Sequence, residues 1–169
     1  MPRQQLLLIP GLVCDAQVWR HQTSYLADIA HIAIPSVDQS ETMSDMAKIV
    51  LSDAPQRFAV AGFSMGGYIA LEMLRQAPER ITRLALLDTT ARDDTKVKAR
   101  ARIDAIDACE KGQFADVIQG MIPILLHPDH QKTPLTEFVP KMAARVGSDA
   151  FVRRHQAMQS RKDSRKLLS

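Results

Sequence analysis

The most informative segment of the chain is Phe58-Ala59-Val60-Ala61-Gly62-Phe63-Ser64-Met65-Gly66-Gly67-Tyr68. Its apolar first half ends in a Gly-x-Ser-x-Gly motif, and residues 69–74 continue it with good helix formers. A sharp strand-to-helix turn of this kind exposes the hydroxyl of Ser64, and a side chain at Gly62 or Gly66 would clash with the turn. Gly67 then lets the helix pack close to the sheet. The segment predicts a nucleophilic serine; the alternative is a glycine-rich turn that carries a serine by coincidence.

The position of this serine at a helix start has an electrostatic consequence. Ser64 would lie at the positive end of the helix dipole, and the N–H group of Met65 would point towards any oxyanion that develops beside the hydroxyl. We therefore expect Met65 to supply one oxyanion donor.

The composition is that of one ordinary globular domain. The 169 residues are 46% hydrophobic and 24% charged, and the net charge is only +3. Basic residues concentrate near the C-terminus, at Arg153, Arg154, Arg161, Lys162, Arg165 and Lys166. No aromatic residue follows Phe151 to stack on nucleic-acid bases, so we interpret this tail as a solvated helix face or a frayed end and expect no nucleic-acid partner.

The cysteines and the apolar runs bound the class of protein further. Cys14 and Cys109 form neither a metal-binding spacing nor a disulfide framework, and we expect no metal or organic cofactor. The apolar run Leu6–Ile9 is too short for a signal peptide, and no run approaches the roughly 20 residues that a membrane helix needs. We expect a cytoplasmic protein without a membrane partner.

Strands and helices alternate along the first half of the chain. Buried strands are predicted at Gln5–Ile9, His31–Val37, Phe58–Gly62 and Ile81–Leu87. Helices are predicted at Ala16–Ala30 with Asp15 as its cap, from a cap at Thr42 or Ser44 to just before Pro55, and at Met65–Gln76. The alternation indicates a parallel sheet, at whose carboxyl ends Ser64, the loop 10–15 and Asp88 would gather.

The second half carries no strand signal. Helices are predicted at Lys96–Lys111, Phe114–Leu126, Leu135–Val146 and Ala150–Ser160, with a loop at His127–His130. We therefore expect an α/β core in residues 1–92 and a helical lid in residues 93–169 that covers the active end of the sheet.

Three segments of the core resemble the α/β-hydrolase fold family, in particular its small, lid-bearing esterase and lactonase-like branch. Leu7–Leu12 is similar to the family's oxyanion loop, with Pro10 where many members have histidine. Gly62–Gly67 is similar to its nucleophile elbow, and Leu84–Thr89 is similar to the strand and active-site turn that follow. The resemblance covers the first 92 residues well, whereas the later helices match the family's lid only in character.

The resemblance carries implications for fold and site. It implies an α/β fold with a parallel sheet of about four strands, flanking helices and a helical lid. It also implies that Leu12 and Met65 supply the two oxyanion N–H groups, and that Trp19 lies near the mouth of the substrate pocket.

The final third of a typical family member has no counterpart in this sequence. In the family, the acid and the histidine that complete the catalytic triad follow the nucleophile, normally on two further strands after the lid. The sequence ends about where those strands would begin, so we expect them to be absent. Asp88 is a candidate acid, although a turn-forming aspartate is the more ordinary interpretation. Five histidines are candidate bases without an evident carboxylate partner: His21, His31, His127, His130 and His155.

These observations favour a serine hydrolase of the esterase type. It would act on a small ester, lactone or thioester through an acyl-enzyme on Ser64, and would be nearly inactive without a replacement for the acid and the histidine. Two alternatives stay open: an inactive remnant that serves as a binding or assembly module, and a carbon–carbon hydrolase or lyase on the same scaffold. The last strand would expose an apolar edge, which predicts a homodimer or aggregation.

Overall fold

Four parallel strands form the central sheet of the protein, which is described here by a computed structural model that covers residues 3–168. The strands are β1 (Gln4–Ile9), β2 (Ala30–Ala33), β3 (Phe58–Phe63) and β4 (Ile81–Leu87). Their order in the sheet is β2-β1-β3-β4, and every neighbouring pair is parallel. The predicted α/β fold with a parallel four-stranded sheet is confirmed.

The two central strands are apolar on both faces because both faces are covered. Leu7, Ile9 and Val60 point to one side, where they pack against helices α2 (Met43–Asp53) and α3 (Met65–Gln76). On the other side, Leu8 and Ala61 pack against Trp19, which ends a short 3-10 helix at Ala16–Trp19.

Two helical segments begin at capping side chains that the sequence predicts. The side chain of Thr42 accepts a hydrogen bond from the N–H of Asp45 and so caps α2, and Asp15 accepts from the N–H of Gln17 at the start of the first 3-10 helix. Both caps were predicted, because these side chains satisfy N–H groups that a helix start leaves free.

All regular elements of the described chain after β4 are helices. They are α4 (Lys96–Glu110), α5 (Phe114–Leu125), α6 (Leu135–Val146) and α7 (Ser148–Gln159), and we call these four helices the lid. Short 3-10 helices lie at Pro78–Arg80, Pro128–His130 and Arg165–Leu167. The lid has its own apolar cluster, built around Phe151 and Ile118, and the loop after β1 joins this cluster through Val13 and Cys14. Within residues 3–168, no helix combines the length and the apolarity that crossing a membrane requires.

Two predicted elements are shorter in the structure. The strand predicted over residues 31–37 ends at Ala33, because the chain turns away from β1 before Pro35, which has no N–H to donate to a ladder. The helix predicted over residues 16–30 divides into the 3-10 turn and α1 (Arg20–Tyr25), and residues 26–29 form a turn that leads into β2.

Candidate functional site

The backbone at Ser64 has an unusual conformation that three hydrogen bonds hold in place. Its φ is 53° and its ψ is −114°, in a region that L-residues rarely adopt. The N–H of Ser64 donates to the carbonyl of Leu87 at 2.9 Å, while its own carbonyl accepts from the N–H of Gly67 at 2.9 Å and from the hydroxyl of Thr89 at 2.8 Å. Within residues 3–168, the hydroxyl of Ser64 has no hydrogen-bond partner. Ser64 is thus a half-buried serine held at the junction of β3 and α3.

The glycines around Ser64 are required by close backbone contacts. A Cβ atom at Gly62 would lie 2.3 Å from the carbonyl oxygen of Gly66, and one at Gly66 would lie 2.2 Å from the carbonyl oxygen of Ile9. A Cβ at Gly67 would lie 2.6 Å from the side chain of Thr89. The predicted reason for these glycines, which is that any side chain would clash, is confirmed.

The loop after β1 lies directly against this elbow. Gly66 approaches the backbone of Ile9 and Pro10, and a Cβ at Gly11 would lie 3.2 Å from the ring of Phe63. Leu12 follows in this loop, and Met65 is the first residue of α3. Within residues 3–168, no acceptor takes up the N–H of Leu12 or of Met65.

Asp88 comes directly after β4, on the strand that neighbours the elbow. It is exposed, with φ at 46°, and no histidine within residues 3–168 hydrogen-bonds its carboxylate. A positive φ is tolerated by aspartate better than by most residues. The conformation agrees with the turn-forming interpretation of this residue.

An apolar cavity of about 400 Å³ lies between the loop after β1 and the lid. Phe63, the residue before the serine, lines it together with Val13 from the loop and with Phe138 and Met142 from α6. The polar groups at its wall come mainly from the first helical segment, at Gln17, Arg20 and His21. The cavity suits an apolar chain with a polar end.

Trp19 lies behind this cavity and not in its wall. Its side chain is 4% exposed, and its ring meets the ring of Phe63 edge-on at 6.4 Å. Its indole N–H has no acceptor among the described residues. Trp19 therefore supports the cavity through its ring contact with Phe63, which lines the cavity wall.

The five histidines do not gather at Ser64. His21, His31, His127 and His130 are exposed, and His127 accepts a hydrogen bond from the N–H of Asp129 in the loop where it lies. Within residues 3–168, none of the five histidines hydrogen-bonds the hydroxyl of Ser64.

His155 is buried, although it lies within the tail that the sequence indicates to be a solvated helix face or a frayed end. It is 5% exposed, its ring lies 4.4 Å from that of Phe151, and neither ring nitrogen has a hydrogen-bond partner. Burial and the nearby charge of Arg102 lower the pKa of His155 to about 4, against a smaller opposing effect of Asp94. The imidazole is therefore neutral at pH 7.

The basic tail is also more buried than the sequence suggests. Arg161 is 5% exposed at its side chain and pairs with Asp94 at 2.6 Å, while its guanidinium stacks 4.0 Å above the ring of Tyr68. Arg102 binds the same carboxylate at 2.5 Å. Although burial alone would raise the pKa of Asp94, the hydrogen bonds and charges of the two arginines hold it below its usual value.

Arg154 is a second buried arginine that the sequence analysis assigned to the solvated tail. It is 2% exposed and pairs with Asp38 at 2.6 Å. Its guanidinium reaches three carbonyl groups of the loop after β1. The neighbouring residues Arg153 and His155 form no local pattern that would predict the burial of Arg154.

No part of the described chain is arranged as a metal site. Within residues 3–168, no group of three or more histidine, cysteine, aspartate or glutamate side chains is placed to hold a metal ion. Burial raises the pKa of the Cys14 thiol to about 11, so this thiol at the cavity wall is protonated at neutral pH.

Comparisons with known proteins agree with this fold. Residues 39–117 match a family model described as alpha/beta hydrolase fold. A thermophilic esterase from Thermogutta terrifontis superposes with a TM-score of 0.83 at 23% identity, over 97% of this chain and 66% of that one. An enol-lactonase from Burkholderia xenovorans superposes with a TM-score of 0.84 at 16% identity, over 98% of this chain and 68% of that one. The chain has the α/β-hydrolase fold.

This chain is also similar in sequence to a curated protein. The pimeloyl-[acyl-carrier protein] methyl ester esterase of Pectobacterium carotovorum is 36% identical over 87 residues, which make up 47% of this chain and 34% of that protein. The chain thus spans about a third of the length of the curated relative and about two thirds of the length of the solved structures.

Proposed function

We propose that this protein is a serine hydrolase of the esterase type, with Ser64 as its nucleophile. The observation that carries the proposal is the strained backbone of Ser64, which holds a free hydroxyl between β3 and α3. Backbone strain of this kind costs about 1–3 kcal/mol and persists where the surrounding structure enforces it, often at functional sites.

The substrate we propose is a small carboxylic ester, lactone or thioester. The neighbouring cavity of about 400 Å³ has walls that are mostly apolar, which suits the acyl part of such a substrate. The relatives compared above are named as esterases and a lactonase, so the proposed chemistry agrees with theirs.

The proposed reaction uses the groups at the elbow. The oxygen of Ser64 attacks the carbonyl carbon, and the N–H groups of Leu12 and Met65 stabilise the oxyanion of the tetrahedral intermediate. The carbon–oxygen bond to the leaving group (carbon–sulfur in a thioester) then breaks, and the leaving group takes up the proton that the Ser64 hydroxyl lost. Water then hydrolyses the acyl-enzyme, which releases the carboxylic acid and restores the hydroxyl of Ser64.

We expect turnover by this chain to be slow. Within residues 3–168, the hydroxyl of Ser64 has no histidine partner to accept its proton. In a well-studied serine hydrolase, loss of the base costs on the order of 10⁶ in kcat and leaves about 10³–10⁴ over the reaction in water.

The test is covalent labelling by fluorophosphonates with short and long alkyl chains. We expect slow labelling that is lost in Ser64→Ala, and faster labelling by an octyl than by an ethyl reagent because the longer chain fills the apolar cavity. Absence of labelling by either reagent would overturn the proposal.

The lack of a histidine partner at Ser64 favours a second candidate, an inactive α/β-hydrolase scaffold that binds a small apolar ligand. This candidate predicts that an uncharged ester raises the melting temperature of the protein without being hydrolysed. We further propose a cytoplasmic location, and self-association through the unpaired edge of β4.

A further inference from the structure

We propose that Arg154 is the positioning residue of the oxyanion loop, which fixes the direction of the Leu12 N–H from the lid. This inference rests on the proposed function, in which that N–H stabilises the oxyanion. The observations that support the inference are contacts that join three separate parts of the chain.

The guanidinium of Arg154 is surrounded by a carboxylate that neutralises its charge and by carbonyl oxygens that accept its hydrogen bonds. Its Nη1 donates to the carbonyl oxygens of Gly11 at 3.1 Å, Leu12 at 2.5 Å and Cys14 at 3.0 Å. Its Nε donates to the Asp38 carboxylate at 2.7 Å, and its Nη2 lies 2.6 Å from the same carboxylate. One side chain of α7 therefore holds the loop after β1 and the loop after β2 together.

The hydrogen bond to Gly11 determines where the Leu12 N–H points. The carbonyl of Gly11 and the N–H of Leu12 belong to one peptide unit, which is planar and trans, so the two groups point in opposite directions. A carbonyl that points at Arg154 requires an N–H that points away from it. The N–H of Cys14 also donates to the Gly11 carbonyl at 3.2 Å, which fixes the same plane from a second side.

The charge of Arg154 also strengthens the donor. A hydrogen bond from a charged group to a carbonyl polarises the peptide unit and makes its N–H a better donor. The planar guanidinium holds three carbonyls and a carboxylate at once, whereas a lysine ammonium is a compact point charge with three donors. Arg154→Lys therefore keeps the charge and loses part of the fixed geometry.

Two matched variants separate this role from a merely structural one. Arg153 lies beside Arg154 on α7 and donates from its Nε to the main-chain oxygen of Asp38, but makes no hydrogen bond to the loop after β1. Arg153→Gln thus removes a neighbouring charge and leaves that loop untouched. Asp38→Asn weakens the ion pair and keeps the three carbonyl contacts.

The experiment measures two quantities in the full chain for Arg154→Lys, Arg154→Gln and the two controls. The first is the hydrogen-exchange rate, by NMR, of the Cys14 amide, which donates to the Gly11 carbonyl of the Gly11–Leu12 peptide unit. The second is the saturation kinetics of Ser64 labelling by an alkyl fluorophosphonate. Arg154→Lys is included because Arg154→Gln leaves three carbonyl groups without the guanidinium that donates to them, and unfolding of that variant alone would not decide the question.

We expect both Arg154 variants to exchange the Cys14 amide at least about 10-fold faster, because the Gly11–Leu12 peptide unit is no longer held in place, with the amides of β1 unchanged. The maximal labelling rate should fall about 10- to 100-fold while the half-saturating concentration stays within about threefold, since only the oxyanion interaction is lost. Arg153→Gln and Asp38→Asn should stay within about threefold of the wild type in both.

Unchanged exchange and labelling in folded Arg154→Lys would overturn the inference, as would equal effects in Asp38→Asn. If the wild type does not label, the proposed function fails by itself. The Cys14 amide then decides the positioning role alone: faster exchange in Arg154→Lys supports it and an unchanged rate overturns it.

Discussion

The backbone around Ser64 leaves room for only a hydrogen atom at position 66. We predict that Gly66→Ala destabilises the protein by about 3 kcal/mol or more, because its Cβ would lie 2.2 Å from the rigid carbonyl of Ile9. The free energy of unfolding from urea denaturation measures this loss.

Gly120 provides the matched control for that change. It also lies inside a helix, α5, but a Cβ there would meet no atom within 4 Å. Gly120→Ala should therefore stabilise the protein by up to about 1 kcal/mol, since alanine is the better helix former. Equal effects at the two positions would contradict the close contact at the elbow.

At the same scale, the sequence predicts some residues of the candidate site and misses others. The elbow around Ser64 is local, because a strand, three glycines and a helix within eleven residues encode it. The contacts of Arg154, by contrast, are not local: it donates to carbonyl groups about 140 positions earlier in the chain. A charged residue is buried only when such partners exist, and the pattern around Arg154 contains no sign of them.

At the scale of elements, the apolar pattern predicts most boundaries to within two residues. Helices α3 and α6 and strand β4 have their predicted bounds, since caps and turn residues mark their ends. The prediction failed at β2, where the apolar run through Val37 continues beyond the last paired residue. Val37 is buried against α2 and α3 and not within the sheet, and periodicity does not distinguish the two environments.

The packing of α7 on α4 predicts a pH dependence of stability. His155 on α7 has a pKa of about 4 in the folded protein and about 6.5 when unfolded. Between these values the unfolded chain binds more protons, so the free energy of unfolding falls as the pH falls. We expect a loss of about 2 kcal/mol from this group between pH 7 and pH 4.5.

Replacement by leucine isolates that contribution. His155→Leu should remove about 2 kcal/mol from the pH dependence between pH 7 and pH 4.5, measured by urea denaturation at each pH. The same replacement at the exposed His31 is the control for the effect of exchanging a histidine for leucine. A His155→Leu curve parallel to that of the wild type would show that this imidazole titrates normally in the folded protein.

At the scale of the whole molecule, the edge of the sheet at β4 is the feature from which we predict self-association. β4 pairs only with β3 in the described chain, and Ala85 and Leu87 are exposed along it. Unpaired N–H and C=O groups beside apolar side chains favour pairing with a second copy. We predict that the mean mass from light scattering rises with concentration and that Ala85→Lys returns it towards that of the monomer.

The control for this prediction places the same charge elsewhere. Ala101 is exposed on α4, and Ala101→Lys should associate as the wild type does. A wild-type chain that stays monomeric at high concentration would refute self-association through β4.

The most direct measurement of the central claim is the mass of the intact protein after long incubation with an alkyl fluorophosphonate, followed by peptide mapping. The structure predicts a single adduct, located on Ser64, and no adduct on Ser64→Ala under the same conditions. An unmodified wild-type chain, or an adduct on any other residue, would contradict the assignment of Ser64 as the nucleophile.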